Sequence, residues 1–167
     1  MAPTTSIIRD RVWSMLEEVT DPEVPVLSVI DLGIVRDIKI SEDEIEVIIT
    51  PTYSGCPAMD VISMSIKMLL LSNGFKKVKV TSVLSPAWTT DWMTEKGKKK
   101  LLEYGIAPPN PKQQVCSQDL FAPDEAVQCP HCHSYHTHRI SEFGSTACKA
   151  LYQCDDCKEP FDYFKCH

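Results

Sequence analysis

The chain reads as an α+β protein: a small mixed sheet with helices in the order α-β-β-α-β-α, followed by a small metal-stapled module at the C-terminus. Three observations predict this. Helical and strand periodicities alternate through the first hundred or so residues. Two Cys-x-x-Cys pairs, Cys129/Cys132 and Cys154/Cys157, stand 21 residues apart near the end. Between body and tail lies a stiff segment, Ala107-Pro108-Pro109-Asn110-Pro111, because consecutive prolines favour extended polyproline geometry. Two residues between cysteines let one tight turn aim both sulfurs at a point, and two such turns supply the four soft ligands of a tetrahedral cation. The expected organisation is therefore a body over 1–106, a Pro-rich linker and connector over 107–128, and a zinc ribbon over 129–167.

The body opens with Ile8, Val12, Met15, Leu16 and Val19 at helical spacing between Ser6 and Val19, with Thr5 or Ser6 able to cap the start. Asp21-Pro22-Glu23-Val24-Pro25 ends that helix. Ile34–Ile40 and Glu44–Thr50 are β-rich runs around the polar Ser41-Glu42-Asp43, the pattern of a hairpin. A turn over Thr52–Pro57 then opens a helix whose stripe is Met59, Ile62, Ile66, Leu69 and Leu70 and whose stop is Asn73-Gly74. Val78, Val80 and Val83 mark a third strand within Lys76–Leu84. Thr89 or Thr90 caps a last helix that runs to Tyr104. A hairpin followed by a crossover helix and a further strand implies helices packed on one face of the sheet.

The chain has 167 residues, enough for one ordinary domain plus a module too small to bury an adequate core without metal. A net charge of −6 argues for a soluble protein and against a strong binder of phosphate backbones. No stretch has the length of a membrane span, and the first ten residues lack the pattern of a secretory leader, so a cytoplasmic location and reduced cysteines are expected. In that setting eight cysteines read as metal ligands or reactive thiols. All five histidines lie at or beyond residue 131, which leaves the body without a histidine base for a Cys-His or Ser-His pair. The run Lys96-Gly97-Lys98-Lys99-Lys100 reads as a solvated helical face. From Gln113 onward four basic residues face eight acidic ones, a balance that suits protein contacts better than nucleic acid.

Cys56 stands where a helix begins, between Gly55 and Pro57. Backbone N–H groups and the helix dipole there favour a thiolate, the form that binds soft metals; a small buried or capping residue is the alternative, and Asp60 opposes a thiolate slightly. Cys148 and Cys166 exceed the needs of a four-sulfur site. They can fill apolar positions, replace a ligand, or join His131, His133, His136 or His167 in a second locus. Phe161, Tyr163 and Phe164 are expected to cover the cysteine knuckles.

Asp21–Pro25, Asp31-Leu32-Gly33-Ile34-Val35 and Thr50 through Cys56-Pro57 resemble the motif set of the SufT-like iron-sulfur assembly domain. Ser85–Trp92, Phe143–Ala150 and Glu159–His167 resemble the PaaD family, also called PaaJ, of phenylacetate-degradation proteins, and together the match covers nearly the whole chain. The resemblance implies a non-catalytic accessory protein of the phenylacetyl-CoA epoxidase, a multicomponent di-iron monooxygenase. Its implied client is the reductase component with its two-iron cluster. Cys56 becomes the cluster-handling thiolate, Asp21 and Glu23 belong to the neighbouring motif loop, and Cys129, Cys132, Cys154 and Cys157 hold structural zinc. The alternative is a structural component of the monooxygenase without a cluster role. One thiolate cannot fill the ligand shell of a two-iron cluster, which takes four protein ligands. Transient holding follows, completed by a second copy in a homodimer, a client cysteine or a small thiol.

Overall fold

The computed structural model describes residues 3–41, 44–110 and 126–165. The chain divides into two compact units, Met1–Gly97 and Lys98–His167.

The first unit is built on a three-stranded sheet of β1 (Val35–Ile40), β2 (Ile45–Ile49) and β3 (Val78–Ser82) in the order β1-β2-β3. β1 and β2 form the antiparallel hairpin, with Ile40 opposite Ile45 and a register shift between Val35 and Asp37. β3 returns parallel to β2, with Val80 opposite Val47, which requires the intervening crossover helix α2 (Ala58–Ser72). Alternation along β2 buries Ile45, Val47 and Ile49, and α2 sinks Ile62, Ile66 and Leu70 into the core. The stripe keeps Ile62, Ile66 and Leu70 of the expected one, but Ala58 is buried while Met59 and Leu69 are only half-covered.

Helix α1 runs over Pro3–Leu16, so it starts ahead of Thr5 and Ser6 and stops before Val19. The backbone of Val19 is committed elsewhere, because its carbonyl accepts the N–H of Val29 at 2.9 Å. Val12, Leu16 and Val19 are nevertheless all buried, as their spacing predicted.

The expected helix from Thr89 or Thr90 to Tyr104 is broken. A single 3-10 turn covers Thr90–Trp92, Met93 is extended, and α3 spans Glu95–Glu103. The cause is Thr94. Its N–H donates to the Asp31 carbonyl at 2.9 Å and its hydroxyl donates to the Asp31 carboxylate at 3.1 Å. The same hydroxyl accepts the Gly97 N–H at 2.9 Å, the geometry of an N-cap three residues before its donor. Thr94, not Thr89 or Thr90, therefore caps the helix. Gly97 is needed beside it: a Cβ there would lie 2.9 Å from that of Asp31.

The second unit carries a four-stranded sheet in the order β4-β7-β6-β5, comprising β4 (Ile106–Ala107), β5 (Thr137–Ser141), β6 (Lys149–Cys154) and β7 (Pro160–Phe164). β5, β6 and β7 are antiparallel neighbours, and β4 adds in parallel to β7. Ala107 was expected to begin the linker; it is instead a buried strand residue of this sheet. The core is Ala107, Val127, Ala150, Tyr152, Phe161 and Tyr163 around the buried Cys129 and Cys154. Tyr152 meets Tyr163 edge-on at 5.5 Å and stacks with Phe161 at 6.0 Å. Among the described residues no helix is long and apolar enough to cross a membrane.

Candidate functional site

The candidate sulfurs fall in two groups, one in each unit. In the second unit the β5–β6 pairing sets Thr137 opposite Cys154, so the turn before β5 and the turn after β6 meet at one end of the hairpin. The ligand atoms of Cys129, Cys132, Cys154 and Cys157 all lie within 4.8 Å of one another. The Cys129 and Cys157 sulfurs are 3.8 Å apart and those of Cys132 and Cys154 are 3.5 Å apart. Tetrahedral zinc with four thiolates holds its sulfurs about 3.8 Å apart, so the donor set fits that ion. None of the four is in a disulfide.

The two knuckles are copies of one another. Each is a Gln-Cys-x-x-Cys stretch, Gln128–Cys132 and Gln153–Cys157. The residue after each, His133 and Lys158, has positive φ at 62° and 65°. Each glutamine donates its side-chain amide to the carbonyl of that residue at 3.1 Å, and the first cysteine N–H of each donates one residue further on, to Ser134 and to Glu159. The glutamine hydrogen bond stabilises a backbone conformation that side-chain-bearing residues seldom adopt. The duplication was visible in the sequence as a repeated Gln before each pair.

Charges near the cluster follow from this geometry. The Cys157 N–H, then the Asp156 N–H and neighbouring sulfurs, lower the Cys154 thiol to about 7. At Cys157 the Glu159 N–H favours the thiolate, but desolvation and the other three sulfurs outweigh it and push the thiol up to about 12. One anion is thus favoured among the four sulfurs and further ones repel, the condition a divalent cation relieves. A cross-tie joins the knuckles: Asp156 of the second accepts the Ser134 hydroxyl of the first and lies 3.2 Å from His136 Nδ1. The Ser134 hydroxyl first, then His136, keeps the Asp156 carboxyl below its usual range. Asp155 donates its N–H to the His136 carbonyl at 2.7 Å, and its carboxylate lies 3.1 Å from His138 Nδ1. These acids were not singled out from the sequence, where adjacent aspartates read only as surface charge.

Cys148 is buried beside Thr146, sulfur to hydroxyl 3.0 Å, and is outside the four-sulfur group. Cys116, Cys166 and His167 lie outside the described residues. His131 and His133 are exposed.

The other site is Cys56, half-buried in the turn before α2. Its N–H donates to the Tyr53 carbonyl at 3.3 Å and its carbonyl accepts the Met59 N–H at 3.2 Å. Gly55 has φ +84° with open space where a Cβ would point, so backbone conformation rather than crowding requires glycine there. The expectation of a thiolate at the helix start is reversed. Burial pushes the Cys56 thiol up; the Ala58 N–H and the Tyr53 side chain pull it down; Glu23 and Asp21 push it up again, and the net direction is upward. Both motif-loop acids therefore act on the Cys56 sulfur. Asp21 is also a structural residue: one carboxylate oxygen accepts the N–H groups of Glu23 at 2.6 Å and Val24 at 3.0 Å, which closes the loop on itself.

Comparison with known proteins bears on both units. Residues 9–83 match the iron-sulfur cluster assembly protein family and residues 113–165 the PaaD zinc beta ribbon domain. The chain is 52% identical over 155 residues to an Escherichia coli (strain K12) protein provisionally named as one component of 1,2-phenylacetyl-CoA epoxidase, covering 93% of this chain and 91% of that one. The chain belongs to the PaaD family. Its first part is also 37% identical over 94 residues to an Fe-S protein maturation auxiliary factor of Porphyromonas gingivalis, covering 55% of this chain and 86% of that one. A crystal structure of a DUF59 domain from Bacillus anthracis superposes with a TM-score of 0.57 at 27% identity, covering 60% of this chain and 97% of that one. This PaaD member thus joins an iron-sulfur assembly domain to a zinc ribbon, and its four converging cysteines are the metal-competent group of that ribbon.

Proposed function

We propose that the chain is a non-catalytic maturation factor of a phenylacetyl-CoA epoxidase system, which holds an iron-sulfur cluster briefly at Cys56 and passes it to the iron-sulfur reductase component. One observation carries the reading. An assembly domain with a single thiol in its site is fused to a ribbon of the PaaD type, in a chain half identical to a protein named for that epoxidase. The cluster is cargo, and a lone sulfur suits cargo, since incomplete ligation leaves positions for a client cysteine or a small thiol to enter. Burial first, and then the negative charge of Glu23 and Asp21, disfavours a free thiolate, so cluster binding displaces a proton from Cys56. Zinc, held by Cys129, Cys132, Cys154 and Cys157, supplies the folding energy of the second unit and no reaction step.

The test is anaerobic reconstitution of wild type and Cys56→Ser with iron and sulfide. Wild type is expected to gain visible sulfur-to-iron absorption and to restore the cluster of apo-reductase, and the variant to do neither while keeping its zinc. Equal absorption and equal transfer by both would remove Cys56 from the mechanism. The E. coli relative is named as part of the epoxidase itself, which favours a second reading, a structural component. Co-purification at fixed stoichiometry with the oxygenase would support that reading, whereas dissociation after reductase maturation supports the first.

A further inference from the structure

Helix α2 is apolar on both sides. One side sinks Ile62, Ile66 and Leu70 into the core, each at most 1% exposed. On the other, Val61, Met64, Met68 and Leu71 stand 53%, 59%, 61% and 49% exposed. Their spacing of three, four and three residues forms a continuous seam along the helix, the pattern by which one helix packs against another. A helix that is hydrophobic all round is normally covered. We propose that a second copy of this chain covers it, through an antiparallel α2–α2 pairing about a two-fold axis at Ile66.

The seam is its own complement. Spaced symmetrically about residue 66, it sets Val61 against Leu71 of the other copy and Met64 against Met68, as an isologous interface requires. The flanks select the orientation. On one flank of the seam sit Ser65 and Ser72, small enough for close approach; on the other sit Asp60 and Lys67, the two charges of the helix. In an antiparallel pair like flanks meet, so serines face serines and the charged flank reads Asp60, Lys67, Lys67, Asp60 along the axis, the two lysines about 3 Å apart along it and each about 8 Å from the other copy's Asp60, toward which it extends. A parallel pair would set both charges against serines. Antiparallel helices also oppose their dipoles favourably. Methionine at the centre suits a surface that is exposed part of the time.

The area sets the strength. The four side chains offer roughly 400 Å² of apolar surface per copy, about half of what each partner contributes to a standard interface, so the dimer dissociates in the micromolar range or above. Cys56 precedes α2 and is ten residues from the axis, which separates the two thiols by about 30 Å. The pairing therefore cannot let two Cys56 sulfurs share one cluster, and each copy works with its own incoming ligands.

Sedimentation equilibrium of the zinc-loaded full chain from micromolar to millimolar concentration tests this. Wild type is expected to show a reversible monomer–dimer equilibrium. Met64→Lys and Met68→Glu should each weaken it at least about tenfold. The combined M64K/M68E chain should recover it, because antiparallel pairing sets each new lysine opposite a new glutamate. Circular dichroism confirms that all variants stay folded, as these side chains point away from the core. Wild type monomeric throughout, single variants that dimerise undiminished, or a double variant as weak as the singles would each overturn the proposal.

Discussion

The ribbon and the Cys56 turn present sulfur in opposite ways. In the ribbon, four cysteines from two copies of one backbone turn converge within 4.8 Å, two of them fully buried. At the other site a single half-buried thiol sits near two carboxylates that oppose its ionisation. The first satisfies a metal completely and so fixes structure. The second satisfies almost nothing alone, and that incompleteness is what a transfer site needs: a fully ligated ion has no position through which to leave.

Removal of one ribbon sulfur is the largest break in this comparison. Cys154→Ser leaves three thiolates on a module whose apolar core is small, and structural zinc contributes on the order of 10 kcal/mol to such modules. The expected outcome is loss of bound zinc by metal analysis and loss of amide-exchange protection in β5, β6 and β7. Protection in β1, β2 and β3 should persist, since that sheet rests on Ile38, Val47, Ile49, Ile62 and Ile66. Zinc retained with an intact ribbon would mean that the four-sulfur site is not what folds the unit.

A smaller effect is expected at the cross-tie between knuckles. Asp156→Ala removes the acceptor of the Ser134 hydroxyl and the partner of His136, leaving the four sulfurs in place. Groups that orient ligands alter metal affinity by about tenfold or more. Zinc capture by a chromogenic chelator should accelerate by about that factor, whereas Asp156→Asn, which keeps an acceptor, should restore part of the difference. An unchanged rate for Asp156→Ala would assign the tie to the surface alone.

How much of this was legible depends on what each feature rests on. The four ribbon cysteines could be read directly, because Cys-x-x-Cys spacing encodes its own geometry. The sheet and α2 could be read because β-branched alternation and a helical stripe are local signals. The cap of α3 could not: Thr94 acts through Asp31, 63 residues away, and neither residue advertises the other. Ala107 was misplaced for a related reason, since the prolines that follow it look like a linker and only the register with Tyr163 makes it a strand. At Cys56 the helix start was read correctly, but its electrostatic sign was not. The opposing groups are burial and the loop acids Glu23 and Asp21, more than thirty residues upstream.

That sign yields the smallest prediction. A thiol held above its ordinary range stays protonated longer as pH rises. Alkylation at Cys56, followed by peptide mass mapping on zinc-loaded protein, should therefore lag behind a free thiol and accelerate only at higher pH. Linkage has the same direction: because the folded chain holds this proton more tightly than the unfolded one, the contribution to stability is complete below the ordinary thiol range and is lost as pH climbs through the raised value. Glu23→Gln removes one of the opposing charges but not the burial that is the leading cause. The expected gain in alkylation rate at fixed pH is thus modest, roughly two- to fivefold, and it should shrink with added salt, because Glu23 is half-exposed and its field is screened. A rate unaffected by Glu23→Gln would leave desolvation, with Asp21 behind it, holding the proton. The carboxylate would then have no part in deciding when Cys56 becomes a ligand.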